Sequence, residues 1–172
     1  MLTLLPSGMV CAEIGVFEGE YSQIILETLK PKELFLVDLF EGMVGSGDKN
    51  GQHMKYLYLN DEYSKLTEKY KQQSNVKVIK EFSTVFLNSL PDSYLDFIYI
   101  DAEHTFDSVS KELLVADIKV KKSGYICGHD YCDKTPGVIQ AVDSFCQLNN
   151  YSLYLTKTDL YKSFLIKREK HV

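Results

Sequence analysis

The chain has 172 residues, about one domain's worth, with 45% apolar and 25% charged residues. No apolar run reaches the ~18 residues of a membrane span, which argues against an integral membrane protein. Lys and Arg number 19 against 24 Asp and Glu, and the resulting charge of −5 makes nucleic acid a poor partner.

The apolar run 9–15 predicts a strand ended by a glycine loop. A helix follows over about 21–30, with Ile24, Ile25 and Leu29 on one face and Pro31 as its stop. Residues 33–40 predict a second buried strand. The stretch 41–52 carries four Gly without periodicity and predicts a loop, either a lid over an acceptor or a long exposed connection. Tyr56, Leu59, Tyr63, Leu66 and Tyr70 recur at spacings of 3 and 4, a helical stripe, although Asn60 or Asp61 can cap a shorter helix. Residues 76–79 predict a third strand, and Ser83 the cap of a short helix ending at Pro91.

Residues 95–101 predict a fourth strand. Thr105 then caps a helix carrying Phe106, Val109, Leu113 and Ile118. Gly124 ends that connection and 125–128 predict a fifth strand. Thr135 and Pro136 open another helix in cap-then-N1 order, with Val138, Val142 and Phe145 inward. Two strands, 151–156 and 159–168, close the chain. Too few residues separate them for a crossover, so they must pair antiparallel. The pattern predicts one α/β domain over 1–172: a doubly wound, Rossmann-like sheet of about seven strands, mostly parallel, with a C-terminal antiparallel hairpin and helices on both faces.

Cys11, Cys127, Cys132 and Cys146 form no CxxC pair and read as free thiols of a reducing compartment. The opening MLTLLPSGMV lacks the features of a secretory signal, so a cytoplasmic protein is expected. His129 and Cys132 have no second ligand pair, which argues against structural zinc.

Ligands of doubly wound sheets lie at the carboxyl ends of the strands. The first strand ends in EIGVFEG, where Gly15 and Gly19 permit a tight strand-to-helix turn and close backbone approach, and the helix N-terminus behind them suits an anion. The second ends at Asp38, 19 residues beyond Gly19, placed for a bidentate grip on ribose hydroxyls. Together they favour an adenosine-type ligand. Asp101 and His104 flank the end of the fourth strand and His129 and Asp130 close the fifth, so four polar groups converge across neighbouring strands.

EIGVFEG, Asp38, IYIDAEHTF (98–106) and GYICGHDY (124–131) resemble class I S-adenosylmethionine-dependent methyltransferases. The nearest likeness is to the small-molecule O-methyltransferase group, which includes sugar and macrolide methyltransferases and cephalosporin-hydroxylase-like proteins. The likeness extends from about residue 9 to 167. The E-x-G-x-x-x-G turn departs from the G-x-G-x-x-G of dinucleotide dehydrogenases. The resemblance implies that S-adenosylmethionine is the cofactor. Gly15 and Gly19 would hold its methionine part, Glu13 its ammonium-side network and Asp38 its ribose. Ser83 would contact the adenine and Phe82 cover the ring.

The resemblance further implies that Asp101, His129 and Asp130 bind a divalent cation, Mg²⁺ or Mn²⁺, that chelates the acceptor hydroxyl. His104, with Asp101 beside it, would supply the catalytic base. Relatives place an oxygen ligand where His129 stands, and imidazole leans to Zn, Fe, Mn or Ni, so the residues leave the ion open. Without an ion, His104 or His129 can still act as base, with Asp101 orienting it. The expected activity is methyl transfer to a small-molecule hydroxyl. The alternatives are a metal-dependent oxidation at the His/Asp cluster and a non-catalytic nucleotide-binding module. Relatives often carry an N-terminal helical cap that is nearly absent here, so a loop at 41–55 or the second subunit of a homodimer would have to cover the acceptor.

Overall fold

A computed structural model describes residues 1–41, 61–157 and 160–168 of the chain. After a 3-10 turn at Leu2–Leu4, the elements run β1 (Val10–Ile14), α1 (Glu20–Leu29), β2 (Glu33–Asp38), α2 (Asp61–Tyr70), β3 (Val76–Lys80) and α3 (Ser83–Ser89). They continue with β4 (Leu95–Ile100), α4 (Phe106–Lys119), β5 (Val120–Tyr131), α5 (Pro136–Asn149), β6 (Ser152–Leu155) and β7 (Lys162–Lys167). The strands form one sheet in the order β3-β2-β1-β4-β5-β7-β6. β1 to β5 pair parallel, while β7 pairs antiparallel with both β5 and β6, as the short terminal link demanded. The doubly wound fold expected from the sequence is therefore the one observed.

Strand parity divides the core. Val10, Ala12, Ile14, Phe35, Val37, Ile98 and Ile100 face α3, α4 and α5. Cys11, Leu34, Leu36, Phe97, Tyr99 and Cys127 face α1 and α2. Both faces are covered, so the central strands are mostly apolar rather than alternating, with Glu13 a buried exception. Each buried Leu, Ile or Phe on these faces contributes about 1.5–3 kcal/mol. All four cysteines are free thiols, and only Cys132 is not fully buried.

Several sequence expectations shift in detail. Ile25 and Leu29 are buried under α1, but Ile24 is 49% exposed and Ser22 takes the inward position. Phe106 and Ile118 point outward from α4, where Val109, Leu113 and Ala116 form the buried stripe. Ser83 is the first residue of α3 and not its cap, a place held by Phe82 without any side-chain bond. β5 begins at Val120, five residues before its apolar stretch, and Gly124 lies inside it. The polar start of that strand carries no hydrophobic signal, and its pairing with β4 steps out of register between Leu95 and Phe97. Thr105 does cap α4, its hydroxyl accepting from the Ser108 N–H. Tyr63, Leu66 and Tyr70 pack on α2 as the stripe predicted. The loop 41–52, Tyr56 and Leu59 lie almost wholly outside the described residues.

Candidate functional site

The first strand end is stitched to both neighbours: the Gly15 N–H donates to Val37 O at 2.9 Å and the Asp101 N–H to Ile14 O at 2.7 Å. Gly15 has φ +83°, and a Cβ there would stand 2.0 Å from the Asp101 carbonyl oxygen, so only glycine fits. Phe17 and Gly19 also have positive φ, which turns successive N–H groups of the loop toward one point. Asp38 fills that point. Its Oδ2 accepts from Val16 N–H at 2.7 Å and Phe17 N–H at 3.0 Å, and its Oδ1 from Phe40 N–H at 2.8 Å. A carboxylate offers about four acceptor positions. Three are spent on the backbone, so Asp38 anchors the turn, and about one position is left for the ribose contact expected of it.

A cavity of about 370 Å³ opens beside this turn, within the range of ligand pockets. It is lined by Gly15, Phe17, Asp38 and Asp101, by Phe82 and Ser83, and by Glu112 of α4. Glu13 lies behind the turn, 1% exposed, with its carboxyl accepting from the Ser22 hydroxyl. Burial pushes Glu13 up to about 8; Ser22 opposes the rise, and Asp101 and Asp38 add to it.

The second cluster lies across β4 and β5. Ligand atoms of Asp101, His104 and Asp130 fall within 4.8 Å of one another. His104 Nε2 is 2.7 Å from Asp130 Oδ2 and 3.7 Å from Asp101 Oδ1. The ring N–H direction misses both oxygens, so the contact with Asp130 is an ion pair at a poor hydrogen-bond angle. Asp101 and then Asp130 push the imidazole up to about 10 against the effect of burial. Asp130 is held well below the usual carboxylate range, by His104 first and His129 second. His129 Nδ1 stands 3.3 Å from Asp130 Oδ1 and 3.9 Å from Asp101 Oδ2, facing the cluster from its other side.

Backbone geometry explains why Asp130 meets His104. In the β5–β7 ladder, Gly128 pairs with Phe164 and Tyr131 with Lys162, so His129 and Asp130 together oppose Ser163. This is a β-bulge, and Asp130 within it has φ +57°. The Thr135 hydroxyl, just ahead of α5, donates to the Asp130 carbonyl and holds the bend. Gly137 lets α5 press against the loop that carries His104, since a Cβ there would stand 2.6 Å from the His104 carbonyl oxygen.

Residues 12–131 match the model of a family described as methyltransferase domain. The chain belongs to that family, the class I S-adenosylmethionine-dependent methyltransferases. The uncharacterized protein R132 of Acanthamoeba polyphaga mimivirus is 29% identical over 163 residues, spanning 88% of this chain and 67% of its own. Among solved structures, precorrin-6y C5,15-methyltransferase of Geobacter metallireducens superposes with a TM-score of 0.66 at 14% identity, covering 99% of this chain and 84% of its own. Streptococcus mutans SMU.1697c, solved in complex with SAH, gives 0.64 at 11% identity, covering 96% and 92%. At such identities the likeness is one of fold.

In this methyltransferase the structure gathers Gly15, Asp38, Phe82, Ser83 and Asp101 around the large cavity, with Glu13 and Gly19 in its supporting turn. Asp101 also lines the small void shared with His104 and His129. The imidazole at ligand distance is that of His104, expected as the base, while His129, expected as a ligand, stands outside the 4.8 Å group. The bulge turns Asp130 toward the β4 loop, where it meets His104. Two residues of the site went unnoticed in the sequence, Gly137 and Glu112. The latter had a signal: it falls on the 109–113–116 stripe of α4, a charged residue at an inward position.

Proposed function

We propose that this methyltransferase uses S-adenosylmethionine to methylate a hydroxyl oxygen of a small-molecule acceptor, with a divalent cation at the Asp101–His104–Asp130 cluster. The observation that supports this most is the sharing of Asp101, which lines the large cavity on one side and the His/Asp cluster on the other. Methyl transfer needs an electrophile and an acceptor oxygen aligned and deprotonated, so a polar cluster bordering the cofactor cavity suits it.

The donor set fits a cation. Two carboxylates and one imidazole converge with their ligand atoms within 4.8 Å of one another. Mixed oxygen and nitrogen donors suit Mn²⁺ better than Mg²⁺. When bound, such an ion lowers the pKa of an acceptor hydroxyl and competes with the proton on His104. Without the ion the two carboxylates favour the protonated imidazole of His104; as a ligand it would be neutral. The cluster, with two carboxylates and one imidazole within 4.8 Å, also differs from the two-His, one-carboxylate set of an oxidative iron site.

Titration calorimetry with S-adenosylhomocysteine and NAD tests the cofactor. The sulfur nucleotide should bind and NAD should not; a protein that ignores S-adenosylhomocysteine is not this enzyme. Metal analysis of chelator-free protein should find a divalent ion that is lost in Asp130→Ala, and equal content in both proteins would remove the cation.

A further inference from the structure

We infer that β6, an open edge of the sheet, is the surface through which two copies of this chain pair, with Ser152–Leu155 of each running antiparallel to the other about a two-fold axis at Tyr154. The inference goes beyond the methyl-transfer reading and does not depend on it.

The sheet ends in β3 on one side and β6 on the other, and the two edges differ in kind. β3 carries Lys77 and Lys80, paired with Glu33 and Glu41, and lysines on an edge discourage the addition of another strand. β6 reads Ser-Leu-Tyr-Leu, with no charge, no proline and no bulge in its pairing with β7. Tyr154 on this edge is 55% exposed, and Leu155 beside it is exposed as well. Nothing in the strand itself guards it.

Hydrogen-bond parity names the occupant. The Thr156 N–H donates to Ser163 O at 3.0 Å, which extends the β6–β7 register by one bonded pair. Bonded and non-bonded pairs alternate along an antiparallel ladder, so Ser152 and Tyr154 also bond to β7, while Leu153 and Leu155 turn their N–H and C=O groups to the open edge. A second β6 offers outward groups at the same spacing. With the axis at Tyr154, Leu153 of one copy exchanges backbone bonds with Leu155 of the other, and the reverse pair does the same. Tyr154 then meets its own counterpart in a non-bonded pair, where side chains come closest and an aromatic pair is stabilising. Ser152 faces Thr156, so no opposed pair carries a charge. The contact is isologous and closes at a dimer. β6 runs parallel to β5 and ends on the side of the His/Asp cluster, so the axis sends the two sites to opposite ends of a doubled sheet. In such a dimer the second copy leaves the acceptor uncovered.

Sedimentation velocity on the full chain from about 2 to 200 μM should show a concentration-dependent dimer, as suits so short a strand pair. Tyr154→Lys sets like charges face to face and should raise the dissociation constant at least about tenfold. Its side chain is exposed, so the monomer should keep its fold, which circular dichroism checks. In Tyr154→Cys, mild oxidation should lock a disulfide dimer across the axis, because the Cα atoms of a non-bonded pair lie ~4.5 Å apart, within disulfide reach. Wild type, in which Cys132 is the one thiol not fully buried, is the control for that cross-link. A wild type that stays monomeric over the whole range overturns the inference. A dimer whose constant is unchanged in Tyr154→Lys overturns it too, and so does a Tyr154→Cys protein that cross-links no more than wild type, since either result puts the contact elsewhere.

Discussion

At Asp38 the position was legible in the sequence, while its hold on the turn was not. Sequence spacing placed an acid at the end of β2, and it is there. Its oxygens, however, serve the N–H groups of Val16, Phe17 and Phe40, because Phe17 and Phe40 adopt positive φ that no local motif announces. Asp38→Asn would keep the shape and lose one acceptor oxygen, setting an NH₂ against backbone N–H. We expect a loss of about 1–3 kcal/mol in urea unfolding and weaker S-adenosylhomocysteine binding. Stability equal to wild type would show that the turn does not depend on the carboxylate. The two histidines teach the converse lesson. Their convergence with Asp101 and Asp130 followed from strand adjacency alone, but which imidazole meets which carboxylate depends on a bend in β5.

Among the elements, the β1–α1 connection is the least tolerant. It was the most readable part of the chain, since a strand, two glycines and a helix can be seen in seven letters. The contact that makes Gly15 necessary, with the Asp101 carbonyl, is 86 residues away and could not be read. Gly15→Ala brings a side chain into a left-handed conformation and against backbone that is itself paired to Ile14. We expect destabilisation by about 3 kcal/mol or more, the sum of conformational strain and overpacking, measured by chemical denaturation. A change below about 1 kcal/mol would mean that β1 and β4 separate more readily than their ladder implies. The helices were read well where caps and apolar stripes agree, as in α4 with Thr105. They were read less well where an apolar residue faces outward, since composition alone does not say which side of α1 Ile24 takes.

At the scale of the molecule, buried acids set the response to pH. Glu13 at about 8 and Glu112 at about 7 keep protons that the unfolded chain releases above ~4.3. Between those limits the folded state binds more protons, so stability falls as pH rises, by up to ~1.4 kcal/mol per pH unit for each group. His104, raised to about 10, acts in the same sense: its contribution is whole below ~6.5 and is lost as pH climbs through 10. Asp130, depressed, contributes above ~4 and loses that contribution in acid. Melting temperature should therefore peak near pH 5 and decline toward pH 9, and Glu13→Gln should flatten the part between 5 and 8. A profile that rises over that interval would contradict the assignment of Glu13 as a buried neutral acid. The layer architecture and strand pairing were legible because alternation and apolar runs record burial directly. The coupling of distant acids was not, since charge burial is a property of the assembled core.

The bulge in β5 reaches beyond the two residues it displaces. Tyr125 packs on the α1 side of the sheet, yet Tyr131, an even six positions later, packs on the α5 side and donates to Asp143 at 2.7 Å. One supernumerary residue thus reverses the parity of the strand partway along its length. The same reversal that brings an acid to the chemistry also fastens the strand's end to α5. In this protein the site is set by an odd or even count of residues as much as by which residues they are.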